Sequence, residues 1–241
     1  MQMEAVLGQT TKPIETIVAA REAFISEDFA LSVELYESLR SEGFESPELY
    51  YNLGNAYFRL GRTGKAIVNF ERSLRLNPDS HNAQFNLQVA LARTTDKIVP
   101  APQMFYKRWW QNFIGLIGLD LWAKLSVFML FLFLLSFAGF LMAQRTTKKI
   151  MFVIVLPVFV ATSLSFAATH SNYIELHQKK EAIVTAPEAA GKSAPGDTSS
   201  EVFIIHEGTK VRILDELDDW YKVKLVSGQV GWIQKKLIEI I

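Results

Sequence analysis

The chain has 241 residues, which at roughly 150 per domain makes one or two ordinary domains and excludes a large multidomain enzyme. Its 25 Lys+Arg cancel its 25 Asp+Glu, removing the uniform basic field that sequence-independent nucleic-acid binding draws on. Cysteine is absent, which excludes disulfides, cysteine nucleophiles, thiolate zinc sites and cysteine-ligated iron–sulfur clusters, and leaves four histidines for any metal.

Residues 1–12 read as an N-terminal tail and residues 13–100 as a repeat array. At an offset of 34, Ser32 falls on Ala66, Tyr36 on Phe70, Asn52 on Asn86 and Leu53 on Leu87, and a 34-residue period is the mark of stacked helix pairs. The best copy, Pro47 to Ser80, carries Tyr50, Leu53, Gly54 and Tyr57 on one helix, Ala66, Phe70 and Ser73 on the next, and closes at Pro78. These residues resemble the tetratricopeptide motif, in which small residues mark where two helices approach and the aromatic rings fill the volume left. The copy before it, about Pro13 to Ser46, keeps Ala20, Ala23, a turn at Glu27-Asp28, then Ser32, Tyr36 and Leu39; the copy after it is one capping helix, His81 to Thr94. Two and a half repeats lie near the lower limit for such arrays. The resemblance implies that the first helix of each pair lines a concave face. That face would hold Glu48, Tyr51, Asn55, Phe58 and Arg59, then Phe85, Val89 and Arg93. Aromatic surface beside an amide and a guanidinium suits a bound peptide, although Tyr51 and Asn55 are common in such helices whatever they bind. The family's clamp for chaperone tails has Lys where this chain has Tyr51, so that partner is not implied.

Residues 101–120 form a juxtamembrane segment in which Lys107-Arg108-Trp109-Trp110 interleaves cations with indoles. That mixture suits a headgroup layer and also a nucleic-acid patch; two adjoining apolar runs favour the first. Leu125 to Ala143 is 19 residues without a charge and Ile150 to Thr169 is 20 more, each long enough to span a membrane as a helix. The expected spans are 121–143 and 150–169, joined by a loop at 144–149 and followed by a linker at 170–180. Such a hairpin puts the chain's two soluble parts on the same face. Arg145, Lys148 and Lys149 in the loop are opposed by Lys107, Arg108, Lys124, Lys179 and Lys180 on the flanks, so the positive-inside rule does not decide which face. Lys124 at the entrance is the spans' one ionisable residue, and nothing marks an ion path.

From residue 181 to 241 short alternating runs separated by turn residues indicate β structure. Val211 and Ile213 alternate with Lys210 and Arg212, Tyr221, Val223 and Leu225 alternate with Lys222 and Lys224, and Ser227-Gly228 is a hairpin turn. The order Val202-Phe-Ile-Ile, Glu207-Gly208-Thr209, Asp219-Trp220-Tyr221, Gly231-Trp232-Ile233 resembles the bacterial SH3 domain. Ala186 to Glu201 is either its long first loop or an untethered linker. Trp220, Tyr221 and Trp232 are its candidate binding aromatics; Trp232, between Gly231 and Ile233, is expected in the core, and Trp220, beside Asp218-Asp219, suits either place. The strand that lines a polyproline groove in eukaryotic SH3 domains is missing, so PxxP binding is not inferred.

The fold class expected is therefore a multidomain membrane protein: all-α tetratricopeptide repeats, a two-helix transmembrane hairpin and a small C-terminal SH3-like β-barrel. That order is similar to the BatE-type aerotolerance proteins, on Tyr50-Tyr51-Asn52-Leu53-Gly54-Asn55-Ala56-Tyr57, Gly64-Lys65-Ala66-Ile67, Trp109-Trp110, and Ile205-His206-Glu207-Gly208-Thr209-Lys210-Val211 leading to Trp220-Tyr221. The resemblance implies a two-pass protein of the cytoplasmic (inner) membrane with both modules in the periplasm. Its partners would be proteins, von Willebrand A-domain membrane proteins among them. Family members begin with a cleaved signal peptide, whereas Met1 to Thr11 has neither a basic nor an apolar region of that kind. The true start is then upstream, or the repeats stay in the cytoplasm. His81, His170, His177 and His206 are scattered, and the chain shows no glycine-rich phosphate loop, GxSxG elbow or HExxH. Gly61-Arg62-Thr63-Gly64-Lys65 has the wrong spacing for a phosphate loop. No catalytic residue, metal, cofactor or nucleic acid is expected. The leading reading is a non-enzymatic scaffold; the alternative is an envelope sensor whose barrel binds peptidoglycan.

Overall fold

The computed structural model describes residues 2–97, 104–177 and 180–241. Lys179, the boundary near residue 100, and the side chains of Glu175 and His177 lie outside the described residues. Residues 1–101 and 180–241 form one compact unit and residues 102–179 a second.

Among the described residues the first unit has two helix pairs, α1 (Gln2–Ile25) with α2 (Phe29–Ser41) and α3 (Pro47–Arg59) with α4 (Thr63–Leu76), and a single helix α5 (His81–Ala92) against α4. Their starts are set locally. The Asp28 carboxylate accepts from Leu31 N at 3.1 Å, Ser46 Oγ from Leu49 N at 3.0 Å, and Ser80 Oγ from Ala83 N at 3.4 Å, each satisfying an amide that the helix cannot. Pro47 opens α3 at a position where no intrahelical N–H bond is lost. Gly61 turns the chain between α3 and α4 at φ +75°, a backbone state that a Cβ disfavours. α1 begins at Gln2, so the stretch read as a tail is helical; Met3-Glu4-Ala5 and Leu7 are good helix formers. Tyr36, Leu39, Leu53, Ile67 and Phe70 are sealed in the shared core, each such side chain contributing roughly 1.5–3 kcal/mol.

The barrel's strands are β1 (Glu181–Val184), β2 (Glu188–Lys192), β3 (Glu201–His206), β4 (Lys210–Leu217), β5 (Trp220–Leu225), β6 (Val230–Gln234) and β7 (Ile238–Ile240), with a 3-10 turn at Lys235–Leu237. They form one antiparallel sheet in the order β3-β2-β6-β5-β4-β1-β7. β2 and β3 form a hairpin, so Ala186 to Glu201 belongs to the barrel and is not an untethered linker. The ring of Phe203 explains its composition. That ring lies against Gly191 and Gly231, where any Cβ would collide with it.

The second unit holds α6 (Phe105–Ile114), α7 (Leu119–Met142) and α8 (Arg145–His177). α7 and α8 are long and apolar enough to cross a membrane, and just 6% and 11% of their most apolar stretches are buried, which is unlike the core helices of a soluble protein. The expected six-residue loop shrinks, because the Gln144 carbonyl accepts from Lys148 N at 2.9 Å and from Thr147 Oγ1 at 2.8 Å and so starts α8 early. Along the seam Ser126 Oγ meets Ser165 Oγ at 2.9 Å and Thr169 Oγ1 at 2.8 Å, while Thr162 Oγ1 donates to Met129 O at 3.1 Å. Hydroxyl contacts of this kind hold apolar helices together where the apolar effect cannot.

A Cβ on Gly54 would stand 2.7 Å from the Phe70 ring. Gly54→Val is therefore expected to overpack α3 against α4 and lower unfolding stability by about 1–3 kcal/mol, read from urea denaturation of the full chain followed by circular dichroism.

Candidate functional site

The residues expected to line a concave face lie on α3, on α5 and at Arg93 just after α5. Tyr51 and Asn55 lie one turn apart on α3, and the Asn86 amide on α5 donates to Asn55 Oδ1 at 2.7 Å and to Tyr51 Oη at 3.3 Å. The Tyr51 ring also packs toward Phe70, with centroids 6.2 Å apart. Arg93 covers the Phe58 ring at 3.9 Å, Arg59 covers Phe29 at 4.3 Å and reaches Glu27 at 3.6 Å, and Phe85 stands 66% exposed with Val89 beside it at the edge of exposure. The structure thus joins Tyr51 and Asn55 through an amide, and pairs Phe58 and Arg59 with other groups. It leaves Phe85 as the large apolar group facing outward. Sequence reasoning missed the neighbouring hollow, about 190 Å³, lined by Arg21, Phe24, Ile25, Tyr36, Asn52 and Asn55. The Asn52–Asn86 match at the repeat offset was the available signal for it. Burial pushes the Tyr36 phenol above its ordinary pKa, opposed by Arg21 and by the hydrogen bond with Asn52, so the hollow presents a neutral hydroxyl beside a cation.

On the barrel, strand parity decides which aromatics face out. Gly231 and Ile233 are buried and Val223 and Leu225 line the core, so Trp232, opposite Lys222, is turned to the outer face and is half-buried there. The expectation of a core Trp232 is corrected: the neighbouring Ile233 takes the interior place. Trp220, opposite Gln234, shares the outer face, while Tyr221 packs at the rim of the core. Lysines interleave with these rings: Lys192 stands 5.9 Å from Trp220, Lys222 5.9 Å from Trp232 and Lys235 5.1 Å from Tyr221. Trp220 lines a cleft of about 520 Å³ with Gly196, Asp197, Asp219, Gln234, Lys235 and Lys236. Its floor is ordered by the Gln234 amide donating to Asp197 Oδ1 at 3.0 Å.

A third feature was not legible in advance: the barrel is seated on the second helices of the repeats. Arg72 of α4 donates to Glu239 Oε1 at 2.8 Å and to Ile240 O at 2.7 Å, and Arg40 of α2 reaches the same Glu239 oxygen at 3.1 Å. Lys210 bridges Glu71 at 3.0 Å and Glu181 at 2.9 Å. α4 lacks a side-chain cap of its own. Glu207 supplies it from the barrel, accepting from Gly64 N at 2.7 Å, a carboxylate at the positive end of a helix. Asp96 closes the other side, taking His206 N at 2.6 Å and Thr209 Oγ1 at 2.7 Å on one oxygen and His206 Nδ1 at 2.8 Å on the other. Ile183 of β1 is fully buried within the repeats' core, with Ile241 packed beside it. Glycine is required on both sides of the contact. A Cβ on Gly64 would meet Val184 O and Glu207, and one on Gly208 would meet Thr94 and Ile67. Among the described residues the hydrogen bonds of this contact come from α2, α4 and Asp96 after α5, and none comes from Tyr51, Asn55 or Phe85.

Among the described residues no group of three or more His, Asp or Glu side chains is placed to hold a metal ion. Residues 47–80 match the tetratricopeptide repeat and residues 192–239 the bacterial SH3 domain. Both are typically non-catalytic interaction modules. The chain is 30% identical over 74 residues to the Protein SGT1 homolog of Oryza sativa subsp. japonica, a match covering 31% of this chain and 20% of that protein; the chain thus spans about a fifth of the curated relative's length. The crystal structure of the C-terminal SH3 domain of myosin IB from Entamoeba histolytica is similar over 26% of this chain and 93% of that one, at 22% identity and a TM-score of 0.20.

Burial tends to raise the Asp96 pKa, but the bonds from the His206 amide, Thr209 and the His206 ring outweigh it and hold the carboxyl below the usual aspartate range. The unfolded chain then binds the proton more readily, so this contribution is present above about pH 4 and is lost as pH falls through the folded value. Thermal unfolding of the full chain in detergent is expected to weaken below about pH 4, and Asp96→Asn to be less stable at neutral pH with a flatter acid limb.

Proposed function

We propose that the chain is a two-pass membrane adaptor of the BatE type: repeats at 13–100, a hairpin spanning at 121–143 and 150–169, and a barrel at 181–241, both modules in the periplasm. The observation that carries this reading is the seating of the barrel on the repeats' second helices through Glu239, Glu207 and Asp96. Two interaction modules separated by an apolar hairpin are held together, which suits an even number of spans, and each keeps its own groove free. The repeats take a peptide from a protein partner along Tyr51, Asn55, Phe58, Arg59, Phe85 and Val89. A von Willebrand A-domain membrane protein of a Bat-type complex is the partner class this reading names. Its amide-rich floor suits an extended main chain, and Phe58 and Phe85 suit apolar side chains between the polar contacts.

A second reading has its own observation, the Trp220 cleft with Asp197, Asp219 and Gln234. An aromatic platform beside fixed polar groups suits a cell-wall fragment, with Tyr221 and Trp232 flanking it, and in that case the barrel anchors the adaptor to peptidoglycan.

Two measurements test these readings. Single cysteines at Ser41, Thr146 and Ser227, probed in intact cells with a membrane-impermeant maleimide, are expected to label at Ser41 and Ser227 but not at Thr146; the reverse pattern places both modules in the cytoplasm and ends the cell-wall reading. In crosslinking from membranes, Tyr51→Ala with Phe58→Ala is expected to reduce partner recovery by about thirtyfold, as the loss of two anchors of roughly 1 kcal/mol each implies. Trp220→Ala is expected to leave that recovery intact and to reduce co-sedimentation of the full chain with purified sacculi, and unchanged sedimentation would remove the peptidoglycan reading.

A further inference from the structure

The register of the barrel's sheet shows what its outer face carries. On β5, Val223 and Leu225 are buried in the core, so Lys222 and Lys224 point outward. On β6, Gly231 and Ile233 are buried, and Val230 and Trp232 point outward. Directly opposed residues of antiparallel strands lie on one face. Lys222 stands opposite Trp232 and Lys224 opposite Val230, while Arg212 of β4 stands opposite Lys224 on its other side. Neighbouring strands lie about 4.8 Å apart and alternate residues of one strand about 6.8 Å apart. Lys222, Lys224 and Arg212 therefore share one small area beside the Trp232 ring, whose centroid is 5.9 Å from Lys222 Nζ.

These three cations lack anions of their own. Elsewhere on this unit basic side chains meet acids, as Arg40 meets Glu37, Arg59 meets Glu27 and Lys235 meets Glu216. Among the described residues Arg212, Lys222 and Lys224 form no ion pair, although acids stand opposite two of them. Asp215, opposite Lys222, accepts from the Glu216 amide at 2.9 Å, and Glu181, opposite Arg212, is held by Lys210 at 2.9 Å. Arg212 and Lys224 are thus like charges directly opposed, an arrangement that destabilises a sheet. A local cost of this kind, kept on an exposed face where a neutral side chain would remove it, is the mark of a surface that meets an anion.

We propose that this face docks an extended acidic segment of a partner protein. An extended chain presents every second side chain on one face, at the same spacing of about 6.8 Å that separates Lys222 from Lys224. Acids two positions apart then meet both ammoniums in one register. One carboxylate lies over Lys222 and the next between Lys224 and Arg212, whose guanidinium can take it through two N–H groups. Trp232 and Val230 cover the apolar side chains of the same segment, which a sulfate or phosphate polymer does not offer. The surface adjoins the Trp220 cleft without sharing its lining residues, and the proposal holds on either side of a membrane.

The test is peptide binding to the full chain in detergent, read by fluorescence anisotropy. The probe is a short labelled peptide of Thr and Val with two Glu placed two positions apart; in the control peptide the two Glu are adjacent and point to opposite sides. An exposed ion pair contributes up to about fivefold in affinity, so the probe is expected to bind about fivefold more tightly than the control. Lys222→Gln with Lys224→Gln is expected to weaken the probe by about tenfold, and Arg75→Gln with Lys97→Gln, exposed cations elsewhere on the unit, to leave it unchanged. Lys224→Gln alone is expected to unfold at the wild-type temperature or above it, because it removes the repulsion from Arg212. Equal binding of the two peptides, full binding by the Lys222 and Lys224 variant, or a lowered unfolding temperature for Lys224→Gln each overturns the proposal. If dextran sulfate binds through Lys222 and Lys224 while neither peptide does, the face serves an anionic polymer and the proposal fails.

Discussion

Arg72 reaches from α4 to the last strand of the barrel and holds the Glu239 carboxylate and the Ile240 carbonyl together. With its side chain 16% exposed, this pair is shielded more than a surface ion pair, which is worth about 0–1 kcal/mol. The larger contribution comes from Ile183, whose complete burial in the repeats' core is worth roughly 1.5–3 kcal/mol. Apolar burial supplies the attraction, and the charges choose the register. Glu239 fits only where Arg40 and Arg72 converge, Glu207 only at the open N-terminus of α4, and Asp96 only against the His206 amide. Three contacts from three elements leave little rotational freedom.

That seating determines what the soluble unit can offer. In α4 the residues turned to the barrel, Gly64, Ile67, Glu71 and Arg72, follow helical spacing. The cluster of Tyr51, Asn55 and Asn86 lies on α3 and α5 instead. The barrel likewise contributes β1, β7, the turn at His206–Thr209 and Lys210 at the start of β4, whereas the cleft around Trp220 is lined by residues of β5, β6 and the loop before β3. Two surfaces of different chemistry are carried on this unit: an amide and phenol cluster at Asn86, Asn55 and Tyr51 with arginines above the rings of Phe29 and Phe58, and a tryptophan cleft bordered by carboxylates and lysines.

Much of this was legible in the sequence because the signals are local. Gly54, Tyr57, Ala66 and Phe70 recur at a spacing set by helix geometry, and Ser46 and Ser80 stand where caps belong. Val223, Leu225 and Ile233 alternate as a half-buried strand must. Parity also explains the misplaced Trp232: a hydrophobic Gly-Trp-Ile triplet does not say which member faces inward, and one residue of shift exchanges the faces. β2 was ambiguous because Ala189 and Gly191 look like linker residues until the Phe203 ring is seen lying on Gly191. The seating itself left no local trace, since Asp96 and His206 are 110 positions apart, and a charged residue reads the same whether its partner is distant protein or water. The hollow beside Asn52 needs α1, α2 and α3 assembled before it exists.

The separation between Arg72 and Ile240, 168 positions, has a consequence for how the protein is made. Chains fold from the N-terminus during synthesis, so the repeats emerge and collapse while Gly64 still has no carboxylate above it and the place for Ile183 stands empty. Closing so long a loop in solution is slow, because its entropy is lost before any contact compensates. The 108 residues from Arg72 to Lys180 must all be made before β1 can reach the repeats. Seating of the barrel is therefore the last step, after both the repeats and the strands β1 to β7 exist. A barrel that fails to fold leaves the second helices of the repeats uncovered, with the Gly64 amide uncapped and the place of Ile183 in the core unfilled.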